Sequence, residues 1–130
     1  MNEPVWIDES EALAMHAQQI SLFGGSMGLR DLGLLQSALA RPKNIWAYTE
    51  KRPALHVLAA AYASGISSNH PFIDGNKRSA LMVSFVFLDL NGLEVIAAQE
   101  DAFAIVLGLA SGEIAEAQLA DWFELNTAPR

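Results

Sequence analysis

With 130 residues, of which 52% are hydrophobic and 18% charged, the chain has the length of one domain and ample material for a core. The lack of cysteine excludes disulfides and thiolate metal sites. A formal net charge of −7 argues against a nucleic-acid binder, whose affinity comes from Lys and Arg neutralising phosphates, but leaves room for one nucleotide held by a few placed cations.

The opening Met1-Asn-Glu-Pro carries neither the basic start nor the apolar run of a signal peptide, so a soluble intracellular protein without membrane association is expected. Residues 10–23 set Leu13, Ile20 and Phe23 among Ala12, Ala14, Met15 and Ala17, a helical pattern stopped by Gly24-Gly25. Residues 24–28 read as a flexible loop. Asp31 then caps a second helix running to Ala40, buried along Leu32, Leu35 and Leu39, with Pro42 beyond its end. Residues 42–53 mix Lys43, Trp46, Tyr48, Lys51 and Arg52 without a period, which predicts a loop with room for a short hairpin or a helical turn. Residues 54–68 are alanine-rich and helical, with Leu55, Leu58 and Tyr62 on one face and the polar turn Ser67-Ser68-Asn69 at the end. A fourth helix opens at Asn76 or Lys77 and runs to about Leu90. Leu81, Met82, Val83, Phe85, Val86, Phe87 and Leu88 surround it on nearly all sides, which predicts the buried central element of the fold. Asn91-Gly92 closes it with a left-handed cap. Two further helices, near residues 100–109 and 116–125, complete a single all-α domain spanning residues 1–130. The longest apolar stretch, residues 80–90, is broken by Ser84 and Asp89 and is too short to cross a bilayer. His16 and His56 fall on helices as structural or surface residues, and Glu113, Glu116, Asp121 and Glu124 read as a solvated face.

The chemistry concentrates in His70-Pro-Phe-Ile-Asp-Gly-Asn-Lys-Arg78, a loop running into the buried helix. The first amides of a helix have no intrahelical acceptor and face a dipole that favours negative charge. Gly75 lets the backbone approach a ligand, and Lys77 and Arg78 add full positive charge, so this is an anion site with phosphate as its natural occupant. Asp74 would repel a bare phosphate; a Mg²⁺ ion, which takes one or two carboxylates together with phosphate oxygens, removes the conflict. His70, with an ordinary pKa of about 6.5, is able to take a proton from an attacking hydroxyl. Phe72 is read as the anchor of the loop in the core. The plain alternative is a helix-capping turn in which His70 and Asp74 are satisfied polar groups.

These nine residues resemble the signature of the Fic fold family, and the chain as a whole resembles its Doc (death on curing) branch. The likeness extends to Gly24-Gly25, Gly28-Leu-Arg-Asp31, Leu34-Leu35-x-Ser37-Ala38, Phe87-Leu88, Asn91-Gly92, Gly112-Glu-Ile114 and Leu119-Ala120. The resemblance implies an all-α Fic-type domain with His70 as general base and Asp74 as the Mg²⁺ ligand. It makes Gly75 with Asn76 the phosphate nest, and Lys77 and Arg78 the phosphate contacts. Adenylylating Fic enzymes usually carry glycine at position 77; Lys77 resembles the Doc branch, which transfers the γ-phosphate of ATP or another nucleoside triphosphate to a threonine of elongation factor Tu. The implied activity is that of a bacterial cytoplasmic toxin kinase; AMP transfer to a protein hydroxyl and an inactive Fic-like binding module are the alternatives. By the same resemblance residues 42–52 form a flap that aligns the target. The internal inhibitory run Ser/Thr-x-x-x-Glu-Gly/Asn is not found, so inhibition is expected from a separate Phd-like antitoxin.

Overall fold

The computed structural model describes residues 2–130. Six helices and two short strands follow in the order α1 (Glu9–Phe23), α2 (Leu32–Tyr48), α3 (Leu55–Asn69), α4 (Asn76–Leu90), β1 (Leu93–Val95), α5 (Gln99–Ser111), α6 (Glu116–Leu125) and β2 (Thr127–Pro129). The caps explain several of the boundaries. Asp8 accepts from the Glu11 amide at 2.8 Å while the Glu11 carboxylate accepts from the Asp8 amide at 3.1 Å, a reciprocal pair that starts α1. Asp31 accepts from the Leu34 amide at 2.9 Å and starts α2 as expected. Gly92 (φ +88°) and Gly112 (φ +84°) take the left-handed turns after α4 and α5. The antiparallel pair β1–β2, with Glu94 opposite Ala128, is too short to have shown a strand period in the sequence. It returns the C-terminus to the end of α4.

The second helix does not stop at Ala40. Pro42 lies inside it, and the expected loop is helical as far as Tyr48. A proline in a helix interior usually costs about 3 kcal/mol. Here the next turn buries Trp46 against Trp6, with ring centroids 6.4 Å apart, and Pro42 is itself buried. Burial of a large apolar side chain contributes about 1.5–3 kcal/mol, enough to offset that cost. The buried face of α2 is Leu35, Ala38, Leu39, Pro42 and Trp46; Leu32 is exposed, contrary to expectation. Behind it, a Cβ on Gly65 would lie 3.2 Å from the Ala38 Cα, so α2 and α3 meet backbone against backbone.

Burial of α4 follows one face rather than all sides. Asn76, Ser79, Ala80, Val83, Ser84, Phe87 and Leu88 are buried, whereas Leu81, Met82, Phe85 and Val86 are half-buried. The most enclosed helix is α3, which packs against α2, α4, α5 and α6 and is buried without a break from Leu58 to Ala63. Its alanines let four neighbours approach closely, and periodicity could not separate such a helix from a surface one. The consequence for the site is direct: the loop of residues 70–75 joins the two best-packed helices and inherits their rigidity. No helix among the described residues is long and apolar enough to cross a membrane.

Candidate active site

His70 ends α3. Its amide donates to the Ile66 carbonyl at 3.1 Å, and its backbone (φ 50°, ψ 56°) is left-handed, the one such non-glycine residue among those described. An L-residue pays about 1–2 kcal/mol for that conformation. The stretch before α2 holds it there. Arg30 Nε donates to the His70 carbonyl at 2.6 Å and a terminal nitrogen of the same guanidinium donates to the Asn69 carbonyl at 2.8 Å. The Arg30 and Asp31 amides both donate to the Pro71 carbonyl, Leu29 bridges Phe72, and the Ile73 amide donates to the Gly28 carbonyl at 3.1 Å. The Ser26 amide donates to Asp74 Oδ2 at 3.2 Å. Residues 26–31 therefore run antiparallel to residues 70–74 as a strap, and the expectation of a flexible loop at residues 24–28 is corrected. Glycine is required along it: a Cβ on Gly25 (φ +117°) would sit 2.7 Å from Asp74 Oδ2, and one on Gly28 (φ +128°) 2.8 Å from the Ile73 side chain.

Beneath the strap Phe72 is fully buried, the anchor that the sequence predicts. His16 stacks on its ring, with centroids 3.8 Å apart and planes 3° from parallel, and His16 Nε2 donates to the Asp74 carbonyl at 2.7 Å. His16 is thus structural, as expected, but its place is the floor of the motif. Asn76 is buried and works on the same loop: its Oδ1 accepts from the Phe72 amide and its Nδ2 donates to the Phe72 carbonyl, both at 3.0 Å. Those two bonds fix the amide's orientation, so the remaining Nδ2 hydrogen points to His70 Nδ1 at 3.3 Å. Neutral His70 in this arrangement carries its hydrogen on Nε2 and its lone pair on Nδ1. His70 is exposed to solvent.

Gly75 (φ 77°, ψ 20°) is the N-cap of α4, and the first intrahelical bond runs from the Ser79 amide to the Gly75 carbonyl. The helix has no side-chain cap and no acidic residue in its first turn, so the amides of Asn76, Lys77 and Arg78 have no intrahelical acceptor. A cavity of about 260 Å³ opens there, lined by His70, Ile73, Asp74, Gly75, Asn76, Lys77, Arg78 and Phe103. All six residues singled out in the motif are among them. Lys77 is exposed, and Arg78 lies with its guanidinium carbon 3.9 Å from the Phe23 ring centre and 4.1 Å from that of Phe103. Neither cation takes part in an ion pair among the described residues. Asp74 is fixed by the Ser26 and Gly75 amides, one on each oxygen, which leaves each oxygen a free lone pair. No group of three or more potential His, Asp or Glu ligands occurs among the described residues. A single carboxylate does not make a resident metal site, but it suits a Mg²⁺ ion that arrives with phosphate oxygens and water.

Arg30, His16, Phe23 and Phe103 belong to this site and were not assigned to it from the sequence. The glycines at 24, 25 and 28 are the one signal that could have pointed there, since clustered glycine marks close backbone approach. Of residues 42–52, read by the resemblance as a flap, those as far as Tyr48 are helical; Trp46 is buried under Arg52, and none of these residues lines the cavity. The acidic face is also not uniformly solvated, because Glu116 is half-buried and pairs with Arg41, and Glu124 meets His56 at 3.2 Å.

A family model described as the Fic/DOC family matches residues 6–88. The chain is 35% identical over 115 residues to a protein named "Protein kinase doc" from Escherichia phage P1, covering 88% of this chain and 90% of that protein. It is also 40% identical over 75 residues to a protein named "Toxin Doc" from Mycolicibacterium smegmatis, in an alignment that spans 58% of each.

Proposed function

This chain belongs to the Fic/DOC family and is of its Doc type, and from that premise we propose that it is the toxin of a toxin–antitoxin pair, a kinase that phosphorylates a protein hydroxyl. The observation that carries the reading is one cavity at the start of α4, lined by a histidine, a carboxylate, a glycine cap with free helix amides, and two cations that make no ion pair among the described residues. The attacking hydroxyl oxygen bonds to the γ-phosphorus of a nucleoside triphosphate while the bond from that phosphorus to the β–γ bridging oxygen breaks. A nucleoside diphosphate leaves, and the hydroxyl proton goes to the His70 imidazole. His70 takes the proton on Nδ1, the lone-pair nitrogen of its neutral ring, as the bond from Asn76 Nδ2 to that nitrogen is given up. The amides of residues 76–78, Lys77 and Arg78 balance phosphate charge, the main work of catalysis in phosphoryl transfer. Asp74 would hold Mg²⁺, whose bound charge neutralises the phosphate oxygens further.

Lys77 is the reason for preferring γ-phosphate over AMP transfer. AMP transfer needs the α-phosphate at His70 with the outer phosphates deep in the nest, and a lysine on the first turn of α4, lining the same cavity, leaves less room there than a glycine would. The reversed pose, with the γ-phosphate at His70, needs no other change of parts. By the Doc resemblance the target is a translation factor, with elongation factor Tu the first to test. A Phd-like antitoxin tail, folding as a helix beside the motif with an acidic group toward Arg78, supplies the inhibition. Expression in a bacterial host tests the reading. The wild-type chain arrests growth, His70→Ala at the same cellular level does not, and co-expression of the neighbouring small antitoxin gene restores growth. Equal toxicity of the two proteins would remove His70 as the base.

A further inference from the structure

We propose that Phe23 and Phe103 are positioning residues for phosphate binding, holding the Arg78 guanidinium between their rings in place of an acidic partner. The proposal rests on the reading that Arg78 meets phosphate. Three helices converge here: Phe23 is the last residue of α1, Arg78 stands in the first turn of α4, and Phe103 in the first half of α5. The guanidinium carbon lies over both rings, 3.9 Å and 4.1 Å from their centres. Neither phenylalanine belongs to the hydrophobic core cluster: Phe103 is only half-buried and Phe23 is 52% exposed. Core packing therefore accounts for neither ring. What both touch is Arg78, and Phe103 also lines the motif cavity with it.

The physics favours rings over a carboxylate at this position. An arginine donates through the edge of its planar group, while its faces are weakly hydrated and stack well on aromatic rings. A carboxylate partner would neutralise the charge and occupy the donating edge, so it would compete with phosphate. The rings leave charge and edge free but remove much of the rotamer freedom of a long side chain before the ligand arrives. No carboxylate pairs with Arg78 among the described residues, in keeping with this division of labour.

Binding of a non-hydrolysable ATP analogue with Mg²⁺ to the full chain tests the clamp, alongside the NMR resonance of the Arg78 Nε–H in the free protein. Phe103→Leu and Phe23→Leu should each weaken binding about five- to tenfold, and Phe103→Tyr should retain it. In the Arg78→Ala background Phe103→Leu should cost nothing further. In the free wild-type protein the Arg78 Nε–H should be shifted by ring currents, and each leucine variant should reduce that shift. Far-ultraviolet circular dichroism checks that the variants fold. Wild-type binding with unchanged affinity in both leucine variants would overturn the clamp alone, as would an equal loss from Phe103→Leu with Arg78 absent. A wild-type chain that binds no Mg²⁺–triphosphate would overturn the phosphate reading, and the clamp's purpose with it.

Discussion

Removing the Arg30 side chain should uncouple the shape of the active-site loop from its chemistry. The guanidinium makes two charge-assisted bonds, to the His70 and Asn69 carbonyls at 2.6 and 2.8 Å, at the C-terminal end of α3. Such bonds reach about 1.5–3 kcal/mol each when buried, but Arg30 is exposed, so the two together are taken as about 1–2 kcal/mol. A cation at a helix C-terminus adds up to about 1 kcal/mol. Against this stands the left-handed backbone of His70, at about 1–2 kcal/mol. The two sides nearly balance, so Arg30 is what tips His70 into its observed conformation. Arg30→Ala should lower unfolding stability by about 2 kcal/mol and, by depopulating that conformation, lower kcat about tenfold or more. Urea denaturation followed by circular dichroism reads the first effect, and phosphate-label transfer at saturating nucleotide reads the second. Nucleotide affinity should move much less, because the amides of residues 76–78 belong to α4. Arg30→Lys should recover the dipole interaction but not the fork. An Arg30→Ala protein with an unchanged denaturation midpoint and unchanged kcat would refute the reasoning.

Three further outcomes follow from the same geometry. His70→Ala should fold and lose about 10²–10⁴-fold in transfer rate, whereas His70→Gly, freed of the left-handed penalty, should be more stable than His70→Ala by about 1 kcal/mol in the same denaturation assay. Gly25→Ala should drive a Cβ to within 2.7 Å of Asp74 Oδ2; titration of nucleotide binding with Mg²⁺ should then show a weaker metal dependence with the phosphate contacts intact. Burial pushes the Tyr62 hydroxyl up to about 12, although the Ile7 amide bonded to it acts the other way. A group whose folded pKa is raised keeps its stabilising effect below pH 10 and loses it as pH rises through 12. The unfolding free energy should therefore be insensitive to Tyr62 up to pH 10 and then fall by about 3 kcal/mol in all, at about 1.4 kcal/mol per pH unit, a fall that Tyr62→Phe should abolish.

The motif was legible because its residues are contiguous: a helix start, a glycine and two cations can be placed from order alone, and the structure sets all six around one cavity. Helices with a clear stop, such as α1 before Gly24-Gly25 and α4 before Asn91-Gly92, were legible for a similar reason. Pro42 misled because its usual helix-breaking effect was outweighed by burial of Trp46, a tertiary gain invisible along the chain. The alanine run of α3 carries little amphipathic signal, so its place at the centre had to come from packing. Arg30, Phe23 and Phe103 act across more than twenty residues of sequence, through a carbonyl or a guanidinium face, and no local pattern marks such contacts. The strap was not legible: its glycines read as a flexible loop, and the close approach to Asp74 and Ile73 that requires them is set by a segment more than forty residues away.

The central claim is that this cavity presents a γ-phosphate to a protein hydroxyl beside His70. Incubating the purified chain with elongation factor Tu, Mg²⁺ and triphosphate labelled at either the α or the γ position tests it most directly. The account predicts that γ-label appears on the target and α-label does not, that His70→Ala transfers neither at a comparable rate, and that Lys77→Gly weakens γ-transfer. A target that takes up α-label from the unaltered chain would contradict the account.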